Sequence, residues 1–463
     1  MVWHGSKSLS CAALLVLSAF SGALAGTADE QDLQWMAEAS PSEVLLLLGV
    51  EPTIQKCTAL LEKKDKLSQA QTLKLYEVRA WAYASDEKYR EAREDYNQLL
   101  QLRPGDIEAR RLRALAMAGC GAYQEAMDEL QDLMRKHPRV AAPYASAGGL
   151  VLRAGEIKSC VEYCDKAIAL DKDLAYAYYI RAMALTKLEN WQGCLSDVDH
   201  CIRLDPLDDV TTSEDKLFLR GVALSHLERH KEAIQCFAAA RNANPSSYNA
   251  TLGLWSAYLA ERKFYLAYRM AGDLVRLEPK TVAAWDALAY SSIALGRLDE
   301  ASEAASKMIA LAPTDPGAFY RAATVCRFQK QHAEAIKHYD RALELDPQHH
   351  WSLIGKAETL ATCSDPKVRD GKKALGLAEK ACEVTKWQNP FAIITLACAY
   401  AECGDFDNAQ QFTRKALELP SLRAEDREEC EQMLRSFEQK KPIHRDPDPA
   451  QERRSGGPWS RYK

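Results

Sequence analysis

Cysteine and histidine are the residues whose spacing most invites chemistry. Cys160 and Cys164 stand one helical turn apart, and Cys194, His200 and Cys201 follow soon after, a set of soft donors of the kind zinc takes. The same spacing suits packing, because an unactivated cysteine is a small apolar side chain that prefers the interior. The chain has 14 cysteines, an odd number once Cys11 is set aside with the N-terminal segment, and no CxxC pair, so a small disulfide scaffold is not indicated. There is no P-loop, GxGxxG, HExxH or GxSxG. His444-Arg445-Asp446 reads HRD but lies outside any kinase context. Asn249-Ala250-Thr251 is a glycosylation sequon, relevant only in a pathway that glycosylates. No catalytic residue, metal ligand or cofactor is assigned, and an enzyme is not expected.

What must position any functional side chain is a repeated element. The stretch EAIKHYDRALELDP (334–347) is rewritten as EAREDYNQLLQLRP (91–104), EAMDELQDLMRKHP (125–138), EAIQCFAAARNANP (232–245) and EASEAASKMIALAP (300–313). Its small residue recurs at Ala92, Ala126, Cys160, Cys194, Ala233, Ala267, Ala301, Ala335, Ala374 and Ala409, mostly 34 residues apart. A proline follows twelve residues later in most units, with Lys172 an exception, and marks the end of a helix. A second small column lies twelve residues earlier, at Ala80, Ala114, Gly148, Ala182, Gly221, Ala289 and Ala323. Each unit therefore reads as two helices, with small residues letting them approach and large ones filling between. A period of this length means a stacked array.

The ends read differently. Residues 1–25 have Lys7 before an apolar run and Ala23-Leu24-Ala25 after it, the pattern of a secretory signal. No later stretch has the length of a membrane-spanning helix, so no transmembrane segment is expected after cleavage. With 60 Lys+Arg against 65 Asp+Glu, nothing in the charge favours nucleic acid. Residues 441–463 carry proline, glycine and basic residues without an apolar period and read as a disordered basic tail.

The spacing, the aromatic–small–aromatic first helix (Tyr76, Ala80, Tyr83) and the Ala…Pro second helix resemble the tetratricopeptide repeat. The stretch 360–390, LATCSDPKVRDGKKALGLAEKACEVTKWQNP, resembles one recurring in exported bacterial proteins of that kind. The resemblance covers residues 71–421, about three quarters of the chain. It implies an all-α, right-handed superhelical solenoid of about ten antiparallel helix pairs, preceded by a helical segment with a half repeat (26–70) and closed by a capping helix (422–440). Trp255 stands where a small residue is usual, so its unit must pack differently.

Counting from the start of each first helix, the small columns are positions eight and twenty. Positions two, five and nine share a face turned from the packing positions. In such folds that face lines a concave groove. It carries Tyr176, Trp351 and Phe391 at two, Tyr179, Phe218 and Tyr320 at five, and Trp81 and Tyr290 at nine. Aromatic rows suit recognition because they offer large contact area at low entropic cost. Family members that hold acidic chaperone C-termini use Lys at five and Asn at nine. Here Glu77, Arg111, Ala145 and Tyr179 occupy five, and Trp81, Leu115, Gly149 and Met183 occupy nine, so that clamp is absent. Arg79, Arg113, Arg181 and Arg220 recur at position seven and read as long stems over a neighbouring helix with solvated heads. The expected function is an exported scaffold, periplasmic or secreted, holding a protein or extended peptide in the aromatic groove. A second reading is a component that stacks envelope polysaccharide on the same rings.

Overall fold

The computed structural model describes residues 35–36, 38–63, 65, 67–205, 213–422 and 424–448. Residues 1–25, expected as a secretory signal, and residues 449–463 of the expected tail lie outside them. Among the described residues every regular element is a helix, as the period requires. The chain divides into two compact units, one up to Pro245 and one from Ser246.

In the first unit α1 (Pro41–Leu48) and α2 (Val50–Leu61) precede five hairpins. These are α3 (Gln69–Ser85) with α4 (Tyr89–Leu102), α5 (Ile107–Gly119) with α6 (Tyr123–Lys136), α7 (Ala142–Arg153) with α8 (Ile157–Leu170), α9 (Ala175–Lys187) with α10 (Trp191–Leu204), and α11 (Ser213–His226) with α12 (His230–Ala243). Both α1 and α2 fall within residues 26–70, the segment expected to hold a half repeat. The long connection after α10 is bracketed by a buried pair: Lys216 in α11 donates to the Asp205 carboxylate at 3.0 Å.

The second unit repeats the plan. Its hairpins are α13 (Tyr248–Ala260) with α14 (Phe264–Leu277), α15 (Val282–Leu295) with α16 (Leu298–Leu311), α17 (Pro316–Phe328) with α18 (His332–Leu345), α19 (His350–Thr362) with α20 (Gly371–Val384), and α21 (Pro390–Glu402) with α22 (Phe406–Glu418). Helix α23 (Ala424–Glu438) closes the unit against α22, with Phe437 fully buried. The boundary between the two units falls after the fifth hairpin, just before the helix in which Trp255 interrupts the small column. The Trp255 indole leaves its own hairpin and donates to Ser291 Oγ in α15 at 2.9 Å.

Both small columns sit at the closest approach of paired helices. All ten residues of the position-twenty column, Ala92 to Ala409, are fully buried. At position eight the fit is tighter than an alanine would allow: a Cβ on Gly221 would fall 2.6 Å from the Phe237 ring. The second helices end as the prolines suggest. Arg103, His137, Asn244, Glu278, Ala312 and Asp346, each before its proline, leave the helical region. Asp171, followed by Lys172, adopts the same extended conformation, so stacking on the next hairpin sets this stop and proline only reinforces it.

The turn inside each hairpin has its own rule. Position fifteen takes a left-handed backbone at Glu87, Gly121, Gly155, Glu189, Glu228, Arg262, Gly296, Lys330 and Gly404. Only glycine adopts that conformation without a Cβ penalty. The exception is the fourth hairpin of the second unit, where residues 363–370 replace the tight turn. There the Asp370 N–H returns to the Leu360 carbonyl at 2.9 Å, and its side chain caps α20.

Glu189→Gly is expected to raise stability by up to about 1 kcal/mol. Ala301→Leu, forcing bulk into the closest approach, is expected to cost about 1–3 kcal/mol. Urea midpoints of the two variants beside the parent decide both.

Candidate partner-binding surface

The chemistry of both units is set by how charge is placed around the packed columns. Arg79 donates through Nε and Nη2 to both carboxylate oxygens of Asp95, at 2.8 and 2.7 Å, and through Nη1 to Thr58 at 3.0 Å. Arg181 repeats the arrangement with Asp197, at 2.7 Å on each arm, and reaches back to Asp165. Arg113 binds Glu129 and, in the preceding hairpin, Asn97. Arg220 holds Asp199 at 2.7 Å and Cys236 Sγ at 3.1 Å. The arginine heads are therefore not merely solvated, as their recurrence at position seven suggested. Each ties its own second helix to an earlier one, with the forward partner sixteen residues on. The hydrogen bonds that Arg181 donates to Asp197, against the opposing effect of burial, raise its pKa above the ordinary arginine value.

The second unit fills position seven with Leu254, Leu288, Ala322 and Leu396 instead, and with Lys356, which pairs with Asp340. Two of its arginines, Arg321 and Arg327, lie on the first helix α17. Arg321, almost wholly buried, donates from Nε to Asp286 at 2.6 Å, with its guanidinium 5.3 Å from the Tyr290 ring centre. Arg327 pairs with Glu358 at 2.9 Å.

The eight aromatics expected on the open face separate into two groups. Tyr179 and Tyr290 are corrections. Tyr179 is 6% exposed within a cluster that includes Ile180 and Leu219, and burial pushes its phenol pKa up. Tyr290 is 1% exposed and meets Trp255 edge-on at 5.9 Å. Both are covered by neighbouring hairpins. The rest are half-buried. In the first unit these are Trp81, Tyr176 and Phe218, with the Tyr176 hydroxyl over Gly149 of the preceding hairpin and Phe218 5.8 Å from Phe237. In the second they are Tyr320, Trp351 and Phe391, with Tyr320 edge-on to His349 at 5.8 Å and Trp351 against His350 at 4.7 Å. The sequence places charged groups on this face without giving their partners. Arg111 is one: it binds Glu108, with Nε at 2.8 Å, and Ser146 at 2.9 Å.

The cysteines pack. Cys160 and Cys194 fill the position-twenty column, and Cys164 lies where a Cβ on Gly148 would meet its sulfur at 2.9 Å. Burial pushes the Cys194 thiol up to about 12. Among the described residues no group of donors is placed to hold a metal ion, and only Cys403 is an exposed thiol.

Residues 441–448 correct a further expectation. They do not behave as a disordered tail, because Ile443, His444, Arg445 and Asp446 are each held by groups of the second unit.

Paired helices with two small columns, stacked hairpin on hairpin, define a helical-repeat protein whose first helices offer the free face. Tetratricopeptide-repeat models match residues 78–145, 316–349 and 392–421, and the model of the Psidin N-terminal TPR repeats region matches 150–288. The chain belongs to the tetratricopeptide-repeat family. It is 25% identical over 209 residues to Hsp70-Hsp90 organizing protein 2 of Arabidopsis thaliana, covering 44% of this chain and 35% of that one. It is 24% identical over 329 residues to the tetratricopeptide repeat and J domain-containing co-chaperone DNJ1 of Fusarium oxysporum, covering 66% and 59%. The chain thus spans less than two thirds of the length of these relatives. Yeast Tom70 superposes with a TM-score of 0.47 at 15% identity, covering 89% of this chain and 96% of that one.

Removing Asp197 alone should cost about 3 kcal/mol, since Arg181 keeps its charge in a partly buried place. Joint replacement, Arg181→Met with Asp197→Leu, should recover most of that loss in a double-mutant cycle. Brief alkylation of the native chain, followed by peptide mapping, should label Cys403 ahead of Cys160, Cys164 and Cys194.

Proposed function

We propose that the chain is an exported, non-catalytic scaffold that binds an extended protein segment on the first-helix face, through the half-buried aromatics and the polar groups between them. The observation that carries this reading is the state of that face. Tyr176, Phe218, Tyr320 and Trp351 keep accessible surface although neighbouring packing already fixes them. Rings immobilised before binding lose little further entropy on contact, so modest contacts suffice for affinity. The charges beside them are neutralised in place, as Arg111 is by Glu108, and present hydrogen-bonding edges without an unpaired ion.

Membership of the family supports protein binding as the general role, and the co-chaperone relatives are of the same kind. The residues speak against an acidic chaperone C-terminus as the ligand, because the lysine and asparagine positions of that clamp carry Glu77, Arg111, Ala145, Tyr179 and Trp81, Leu115, Gly149, Met183. Export rests on residues 1–25, and no described helix is long and apolar enough to cross a membrane.

A displayed random-peptide library panned on the full chain should enrich a consensus. Tyr176→Ala with Phe218→Ala, or Tyr320→Ala with Trp351→Ala, should weaken that peptide at least about tenfold for the unit that binds it, corresponding to ~1.4 kcal/mol. Unchanged affinity in both double variants, with melting temperatures like the parent's, would move recognition off this face. Fusion of residues 1–25 to a reporter active only after export should give activity, and a silent reporter would remove the exported part of the reading.

A further inference from the structure

After α23 the chain turns back and runs along the helix ends of the second unit. Ile443 packs into the cluster formed by Ala397, Ala401 and Phe437. The His444 ring approaches Glu402 at 2.6 Å. The Arg445 N–H donates to the Thr362 carbonyl at 2.7 Å, and its guanidinium pairs with Glu429. Asp446 accepts from the Ser364 N–H at 3.0 Å and the Ser364 hydroxyl at 2.7 Å, with His332 Nε2 at 3.1 Å. The Asp446 side chain is 8% exposed.

Most of the receiving groups lie at helix ends, while Glu429 stands within α23. Thr362 closes α19, and the last carbonyls of a helix have no partner within it. Glu402 closes α21, Ser364 belongs to the open turn that replaces the tight one, and His332 starts α18. Together they offer one carbonyl, one N–H with its hydroxyl, one imidazole and two carboxylates in a row. That row is complementary to an extended segment reading apolar, basic, arginine, aspartate.

We propose that this row is a peptide seat, that residues 443–446 fill it as a built-in competitor, and that a partner presenting an extended segment of the same pattern takes their place. The proposal is independent of the aromatic face. Four anchoring residues make a modest contact, and the tether supplies it with a local concentration in the millimolar range. A better-fitting external segment can therefore exchange with it.

The test uses the full chain and a fluorescent, terminally blocked peptide of residues 441–448, Lys-Pro-Ile-His-Arg-Asp-Pro-Asp. Replacing Ile443, His444, Arg445 and Asp446 together by alanine vacates the seat. This variant should bind the peptide at least about tenfold more tightly than the parent does, because the parent's own tail competes. Ser364→Ala with Glu429→Gln, added to that variant, should abolish binding. Independently of any variant, millimolar peptide should speed amide exchange at Arg445 of the parent. Three results would overturn the proposal: no peptide binding by a vacated variant that melts like the parent, equal binding by both chains, or Arg445 protection indifferent to peptide. Protection that appears only at concentrations where the parent dimerises would also overturn it, by giving the seat to a second copy's tail.

Discussion

The distance between the two helices of a hairpin governs the rest of the structure. Where position eight meets position twenty there is room for hydrogen, methyl or thiol in every hairpin but the one whose Trp255 turns out of it, as the fully buried column from Ala92 to Ala409 and the Phe237 ring against Gly221 demonstrate. Close packing of this kind fixes the pitch of one hairpin on the next, because interiors at crystal-like density have few alternative arrangements. The arginines of the first unit then act on a frame already set. Their two-sided pairing adds angular definition between hairpins, while Leu254 and Leu396 are simply buried at that position in the second unit. One fold thus fills position seven in two chemically different ways.

The period, the helix pairs and the two columns were legible in the sequence because small residues at a fixed interval, each pair twelve apart, are what closely stacked helices demand and little else does. The aromatic face was half legible. A helical wheel reports direction relative to a helix's own partner, and it does not report what the neighbouring hairpins cover. Tyr290 is enclosed by Trp255 before it and Arg321 after it, and Tyr179 packs with Leu219 of the following hairpin. Neither contact follows from positions five and nine taken alone.

Two other misreadings have a common cause. The partners of Arg79, Arg113 and Arg181 stand sixteen residues on, at Asp95, Glu129 and Asp197, but acidic residues are common in second helices and the regularity does not stand out. The segment 441–448 has the composition of a disordered tail. Composition measures the capacity to bury apolar surface, whereas this segment is held by specific donors and acceptors at the ends of helices.

The direction in which that segment runs has a mechanical consequence. From α23 it passes back toward earlier hairpins, so Asp446 is attached farthest from the end of the array and Ile443 nearest to it. A load applied beyond Asp448 meets these attachments one at a time: the Asp446 clamp first, then Arg445, then His444, then Ile443. Each yields before the next is strained, which is the geometry of a peel. The same load transmitted to α23 itself would act on Phe437 and its neighbours together. The chain's end is therefore loaded in series, whereas the helices it lies on are loaded in parallel.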